Sequence, residues 1–567
     1  MAKIENIVPA RYYRVVYLCT LYLLTSCGHR ESEDEAFAIF RMNLPAGCAT
    51  LDPAFAKDQA SGWMVAQLYS GLLELDTSLQ IVPLAAKSWE IEDSGRMYVF
   101  HLRNDIFFHP LEGFWNSQKR KLTAADFVYS FSRICDRNLA SPGMWIFNGK
   151  VKGVSEFHSG AADHVSGFIA MDDSTFQIKL INPYPPFLSQ LSMTYCLALP
   201  EEAVSHFGNE FRKNPVGTGP FRLKSWDENV SLILLKNEHY FQKQKGKSLP
   251  FPDAVSVKFI SSELSAFIEF TQGRFDFING LDESFRDELM GNDGKVKSSY
   301  SEKYNILTEP QLVVEFLAFQ TNETMAGANN PALLNPKVRQ AMSLLIDRKK
   351  LANLILKNSG IAATGFVPDG MPGFVSGQRQ VLRFDPVLAA QLLENAGFRG
   401  GKNFPPVSLK STAKYQQVME FIQKSWQQAG IPCDIDNMQG PALRELASKG
   451  DIGLWRGSWI ADYPDPENFM ILFHSAEIPP SGANRMRYRN ASVDSLFMLS
   501  VQIPGIEKRA VSFIKMEDEM LDDQPVIPLY FDQIFRLVQP GIEGMETNGI
   551  NQLFLKNVRM KEGGESD

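Results

Sequence analysis

The residue patterning predicts an α/β or α+β chain on three observations. Short alternating runs read as strands: Tyr98, Phe100 and Leu102 alternate with Met97, Val99 and His101. The same two-residue period returns at Phe176-Ile178-Leu180 and Val255-Val257-Phe259. Apolar residues at helical spacing read as helices, as where Val338, Ala341, Met342, Leu345 and Ile346 fall at i, i+3, i+4, i+7 and i+8. Finally, 567 residues that are 44% hydrophobic and 11% aromatic suffice for two or three domains, each with its own core.

The N-terminus comes first. Lys3, Arg11 and Arg14 precede an apolar run from Val15 to Leu24, and Leu24-Thr25-Ser26-Cys27 follows. A basic region, a short apolar region and small residues describe a secretory signal. Ten apolar residues are too few to span a bilayer, which takes roughly 20. The segment Leu24 to Cys27 resembles the lipobox of bacterial lipoproteins. That resemblance implies a signal peptide over 1–26 and a lipid on Cys27.

Further along, Thr123 with Asp126 forms a capping box opening a helix with Phe127, Phe131 and Ile134 on one face. Asp385-Pro386 starts, and Gly397 stops, a helix carrying Ala389, Leu392, Leu393 and Ala396. Gly430 ends another built on Val418, Phe421, Ile422 and Ala429. Each stripe reads as a core face.

Several function classes fall away. A net charge of -8 argues against a nucleic-acid binder, which carries a basic footprint. Ser411-Thr412-Ala413-Lys414 fits the SxxK of penicillin-interacting enzymes, the remote alternative of an envelope acyl enzyme. No Ser-Asp-Asn or Lys-Thr-Gly partner follows it. Gly246-Lys247-Ser248 lacks the earlier glycine of a P-loop, and the eight histidines hold no HExxH and no ligand cluster. No metal or cofactor is expected, and His474 beside Phe473 reads as packing or rim. Beyond Cys19 and Cys27, Cys48, Cys135, Cys196 and Cys433 are scattered. They read as buried thiols, with one bridge left open.

An ordered set of segments then carries a family likeness. It includes Leu51-Asp52-Pro53, Leu68-Tyr69-Ser70-Gly71-Leu72-Leu73, Leu122 to Phe131 and Asn214-Pro215-Val216-Gly217-Thr218-Gly219-Pro220-Phe221. Val338-Arg339-Gln340-Ala341, Trp459 to Phe469 and Ile527-Pro528-Leu529-Tyr530 follow. The chain thus resembles the bacterial extracellular solute-binding proteins of the peptide/nickel class (family 5). The resemblance implies an α/β, two-lobed periplasmic-binding-protein fold (class II, cluster C) with an extra subdomain in lobe I. Lobe I would use residues 36–69, 190–305 and 525–560, the subdomain 70–189 and lobe II 306–524. Hinges would lie near 305–310 and 520–527. It also implies a monomer that is not an enzyme, anchored to a membrane through the Cys27 lipid. Its partners would be an ABC permease and ATPase subunits on separate chains. The ligand would be a short peptide, with a dipeptide, a murein peptide, or a nickel or haem complex as alternatives.

Within that family frame, Asp462 stands where a carboxylate pairs with the ligand's α-amine. A buried ammonium needs such a counterion. Ser458 and Ile460 match the backbone that pairs with the ligand strand, Trp459 the cleft wall, and Arg456 a position near the ligand's carboxyl end. Gly143 stands where the best-known member has a stacking aromatic, with Trp145 as its substitute. Gly440 replaces a pocket tryptophan and Lys57 an acidic residue. Asp465, between Pro464 and Pro466, reads as turn chemistry.

Overall fold

A computed structural model describes residues 37–115, 119–280, 282–291, 294–374, 383–480 and 482–561. The signal segment and Cys27 lie outside the described residues. The chain divides into two units, residues 1–38 and 39–567, and every element below belongs to the second.

The expected alternation is realised. One sheet of eleven strands contains β1 (Ile39–Asn43), β2 (Phe221–Asp227), β3 (Ser231–Lys236), β4 (Ala254–Lys258) and β5 (Phe277–Asn279). It continues with β6 (Asn305–Phe319), β7 (Gly360–Ala362), β8 (Val407–Ser411), β9 (Cys433–Asn437), β10 (Leu454–Ile460) and β11 (Val526–Val538). The order is β9-β8-β10-β6-β11-β5-β1-β4-β3-β2, with β7 pairing β11 off this path. A separate four-stranded antiparallel sheet is built from 86–92, 97–102, 175–179 and 168–172.

Two long strands join the halves of the large sheet. Along β6, Leu307 packs against the core that holds Phe40 and Phe277, whereas Leu312 and Val314 belong to a second core and Leu317 and Phe319 to a third. Along β11, Val526 and Ile527 belong to those same two distal cores, while Leu537 and Val538 lie at the other end. Among the described strands only β6 and β11 thread both halves in this way, which makes the fold two-lobed.

The main helices are α1 (Gln59–Leu68), α2 (Ala124–Cys135), α3 (Pro336–Leu344), α4 (Pro386–Asn395), α5 (Gln416–Gln428), α6 (Gly440–Lys449) and α7 (Ile506–Asp523). The capping box of α2 forms as read, and Phe127, Phe131 and Ile134 are buried. The α4 N-cap is Asp385, and Gly397 and Gly430 follow α4 and α5 at φ +91° and +85°. In α3 the helix ends at Leu344, short of the apolar stripe. Leu345 and Ile346 are still buried, but Asp347 starts the next turn by accepting from Lys350 N. The cysteines 48, 135, 196 and 433 are free thiols. Burial pushes Cys135 up to about 12.

The segment 214–221 shows why it is glycine-rich. Gly219 N donates to Leu68 O at 2.9 Å, and a Cβ on Gly217 or Gly219 would stand 2.0 Å from Leu68 O or 2.4 Å from Leu68 C. Backbone packs on backbone there, which only glycine allows. Gly219→Ala is expected to cost about 2 kcal/mol or more by overpacking, read as a lowered urea midpoint. An unchanged midpoint would contradict the close approach.

Candidate ligand-binding site

Strand β10 frames the site. It pairs antiparallel with β6 from Ile460 opposite Val313 to Leu454 opposite Phe319. On its other side it meets β8 only at Trp455, beside Lys410. Residues 456–460 therefore present one edge of donors and acceptors that no described strand takes up. Such an edge is a template for an added strand.

Two cavities border this edge. The first, about 410 Å³, is lined by Ile460, Ala461 and Asp462 from one half of the sheet. Trp63 of α1 and Tyr195, which belong to the core of the other half, line it together with Lys57. The second, about 400 Å³, is lined by Arg456, Gly457, Ser458 and Trp459 together with Gly440 and Arg444.

Asp462 follows the end of β10. Its surface is open to the first cavity, yet protein surrounds it deeply enough that desolvation raises its carboxyl above the usual range. No cationic side chain among the described residues offsets this; only an Asn468 hydrogen bond does. Asp462 N donates to Asn468 Oδ1 at 3.2 Å. The Trp459 indole donates to Asn468 O at 2.7 Å and to Oδ1 at 3.2 Å. Asn468 is thus the buried post that fixes both candidate residues. Its place in the Trp459–Phe469 motif was a signal, but its three bonds could not be read from spacing.

Asp465 does more than the turn reading expects. It does cap the local turn, accepting from Glu467 N at 3.1 Å. It is also fully buried and ion-paired with Arg509 of α7, a partner 44 residues away. Next to it, Tyr463 donates to Glu467, whose carboxyl burial pushes up to about 7.

Trp145 stacks on Tyr463 at 6.0 Å with Lys150 Nζ 5.3 Å from its ring, and it is not among the residues lining either cavity. The place beside Gly143 is taken by Tyr195, whose ring would lie 2.7 Å from a Cβ there. Burial, with the charges of Asp462 and Asp58, pushes the Tyr195 phenol up to about 12, so it remains a hydrogen-bond donor at neutral pH. Sequence reasoning missed Tyr195 because it lies 52 residues from Gly143 in the chain.

Arg456 already has a counterion. It pairs with buried Glu315 on β6, and its guanidinium carbon lies 3.5 Å from the Tyr415 ring centroid. Ser458 Oγ donates to the same Glu315 at 2.8 Å. Burial pushes Glu315 up to about 7 against the pull of Arg456. Lys57 is exposed at the first cavity, and Gly440 leaves room into which Arg444 reaches. His474 stacks on Phe497 at 4.7 Å, a packing role. Among the described residues no group of His, Cys, Asp or Glu could hold a metal ion.

Two lobes threaded by a pair of long strands, with an open strand edge ending at a carboxylate in a cavity, define the class of two-lobed solute-binding proteins. Within that class, the chain belongs to the bacterial extracellular solute-binding proteins, family 5, whose middle-region model matches residues 80–479. It is 24% identical over 522 residues to the periplasmic oligopeptide-binding protein OppA of Salmonella typhimurium, covering 90% of each chain. Among solved structures, the unliganded open form of MppA, a periplasmic murein tripeptide binding protein, is similar with a TM-score of 0.75 and 22% identity. That match covers 93% of this chain and 98% of the other. DppA of Helicobacter pylori, in complex with the peptide STSA, is similar with a TM-score of 0.71 and 23% identity, covering 92% and 98%. The homologues are substrate-binding proteins of ABC transporters, not enzymes.

Proposed function

We propose that this chain is the exported, lipid-anchored component that captures short peptides for an ABC importer. The observation that carries the reading is the unpaired edge of β10 running into Asp462. All peptides share an extended backbone and a terminal ammonium. A strand edge satisfies the first whatever the side chains are, and a desolvated carboxylate without a cation partner suits the second. Names of relatives point the same way, since OppA is an oligopeptide-binding protein and DppA was solved with a peptide.

In this reading lobe I comprises residues 36–69, 190–305 and 525–560, with the subdomain 70–189 attached, and lobe II comprises 306–524. Closure about β6 and β11 shuts the peptide between Tyr195 on one side and Asp462 on the other. The closed form is what permease and ATPase subunits on separate chains would recognise. Cleavage after Ser26 leaves Cys27 to carry the lipid in the cell envelope.

Calorimetry of the mature protein with tri-alanine tests the reading. Binding near micromolar, about 8 kcal/mol in all, is expected. No heat with tri-alanine or with dipeptides would refute it.

A further inference from the structure

The second cavity holds an unbalanced charge. Three arginines line it: Arg456 on β10, Arg444 on α6 and Arg485 in the segment after α6 and β10. Arg456 is neutralised by Glu315. Arg444 and Arg485 form no ion pair among the described residues, and no aspartate or glutamate lines the cavity. Among the described residues the one hydrogen bond from the Arg485 side chain goes to a neutral group, Ser448 Oγ, at 3.2 Å. Burial, and after it the neighbouring charge of Arg444, lower the Arg485 pKa. Between them and β10 the walls are apolar and aromatic, with Phe316, Leu443, Leu472 and Trp459.

Arg485 is half-buried and Arg444 lies exposed at the cavity's rim; like charges so placed repel each other, and an anion between them relieves the cost. Guanidiniums also match carboxylate geometry in a way that ammonium groups do not. An extended ligand rises about 3.3 Å per residue. If its amine sits at Asp462 and its backbone lies along 458–460, its second or third side chain reaches this cavity.

We propose that the second cavity selects an anionic side chain, so that this chain favours peptides carrying glutamate or aspartate at the second or third position. The proposal rests on the peptide reading above and adds its substrate class. Arg444 and Arg485 are the specificity residues, and Gly440 leaves the space their side chains and the ligand carboxylate share.

The test is calorimetric titration of the mature protein with Ala-Ala-Ala, Ala-Ala-Ala-amide, and the pairs Ala-Glu-Ala/Ala-Gln-Ala and Ala-Ala-Glu/Ala-Ala-Gln. The wild-type protein is expected to bind at least one glutamate peptide about tenfold more tightly than its glutamine partner, a gap that narrows as salt is raised. In the double variant Arg444→Gln/Arg485→Gln that ratio should collapse towards one, while Arg444→Lys/Arg485→Lys should keep part of it. Equal affinity for both members of both pairs in the wild-type protein would overturn the proposal while leaving the peptide reading intact. So would a loss confined to the amide, which would assign the arginines to a terminal carboxylate. Failure of every peptide to bind, tri-alanine included, would remove the peptide reading and the proposal with it.

Discussion

Replacing Asp462 with alanine is expected to weaken tri-alanine binding by about 2–5 kcal/mol, the usual consequence of stranding a charge in a closed interface. The loss should appear mainly as faster release. The ligand-free protein should not become less stable, because Asp462 makes no ion pair among the described residues and desolvation already disfavours its charge. Its folded pKa lies above the ordinary carboxylate value, so its ionised form disappears earlier as the pH falls. Affinity for a cationic amine should therefore drop on acidification at a higher pH than an unshifted aspartate would give, and Asp462→Ala should remove that dependence. Isothermal titrations at a series of pH values measure both effects; an Asp462→Ala variant with wild-type affinity would refute the role.

Arg509→Met is expected to destabilise the folded protein by about 3–5 kcal/mol, read from urea unfolding. The reason is local. Asp465 is fully buried and Arg509 nearly so, and removing the arginine leaves the carboxylate desolvated with only the Glu467 amide beside it. Arg509 Nε and Nη1 have no hydrogen-bond partner among the described residues, so the pair is imperfectly satisfied and contributes little over apolar replacements. The double variant Asp465→Leu/Arg509→Met should accordingly recover most of the loss. Because Asp465 anchors the turn between Asp462 and Asn468, the single variant should also weaken tripeptide binding. A single variant as stable as the wild type would contradict this placement of the charge pair.

Much of the scaffold was legible in short-range pattern. The α2 capping box, the Asp385-Pro386 helix start and the strands around Phe100, Phe176 and Val257 depend on neighbours within a few residues, which is what a sequence displays. Domain-scale order came from the resemblance, since nothing in the local pattern of 305–319 or 526–538 marks strands that cross between lobes. At the site, the types and positions in Trp459–Asp462 were readable. Their supports were not: Tyr195 filling the space beside Gly143, Glu315 neutralising Arg456, and Arg509 paired with Asp465 all join residues tens to hundreds apart. Asp465 shows the limit most clearly. Flanking prolines explain its turn, but only the fold reveals the buried arginine that pairs with it.

The most direct measurement compares tri-alanine with N-acetyl-tri-alanine on the wild-type protein and on Asp462→Asn. If a carboxylate at 462 holds the ligand's ammonium, acetylation should cost the wild-type protein about as much as the substitution costs tri-alanine, and the variant should scarcely distinguish the two peptides. Equal affinity of the wild-type protein for both peptides would contradict it.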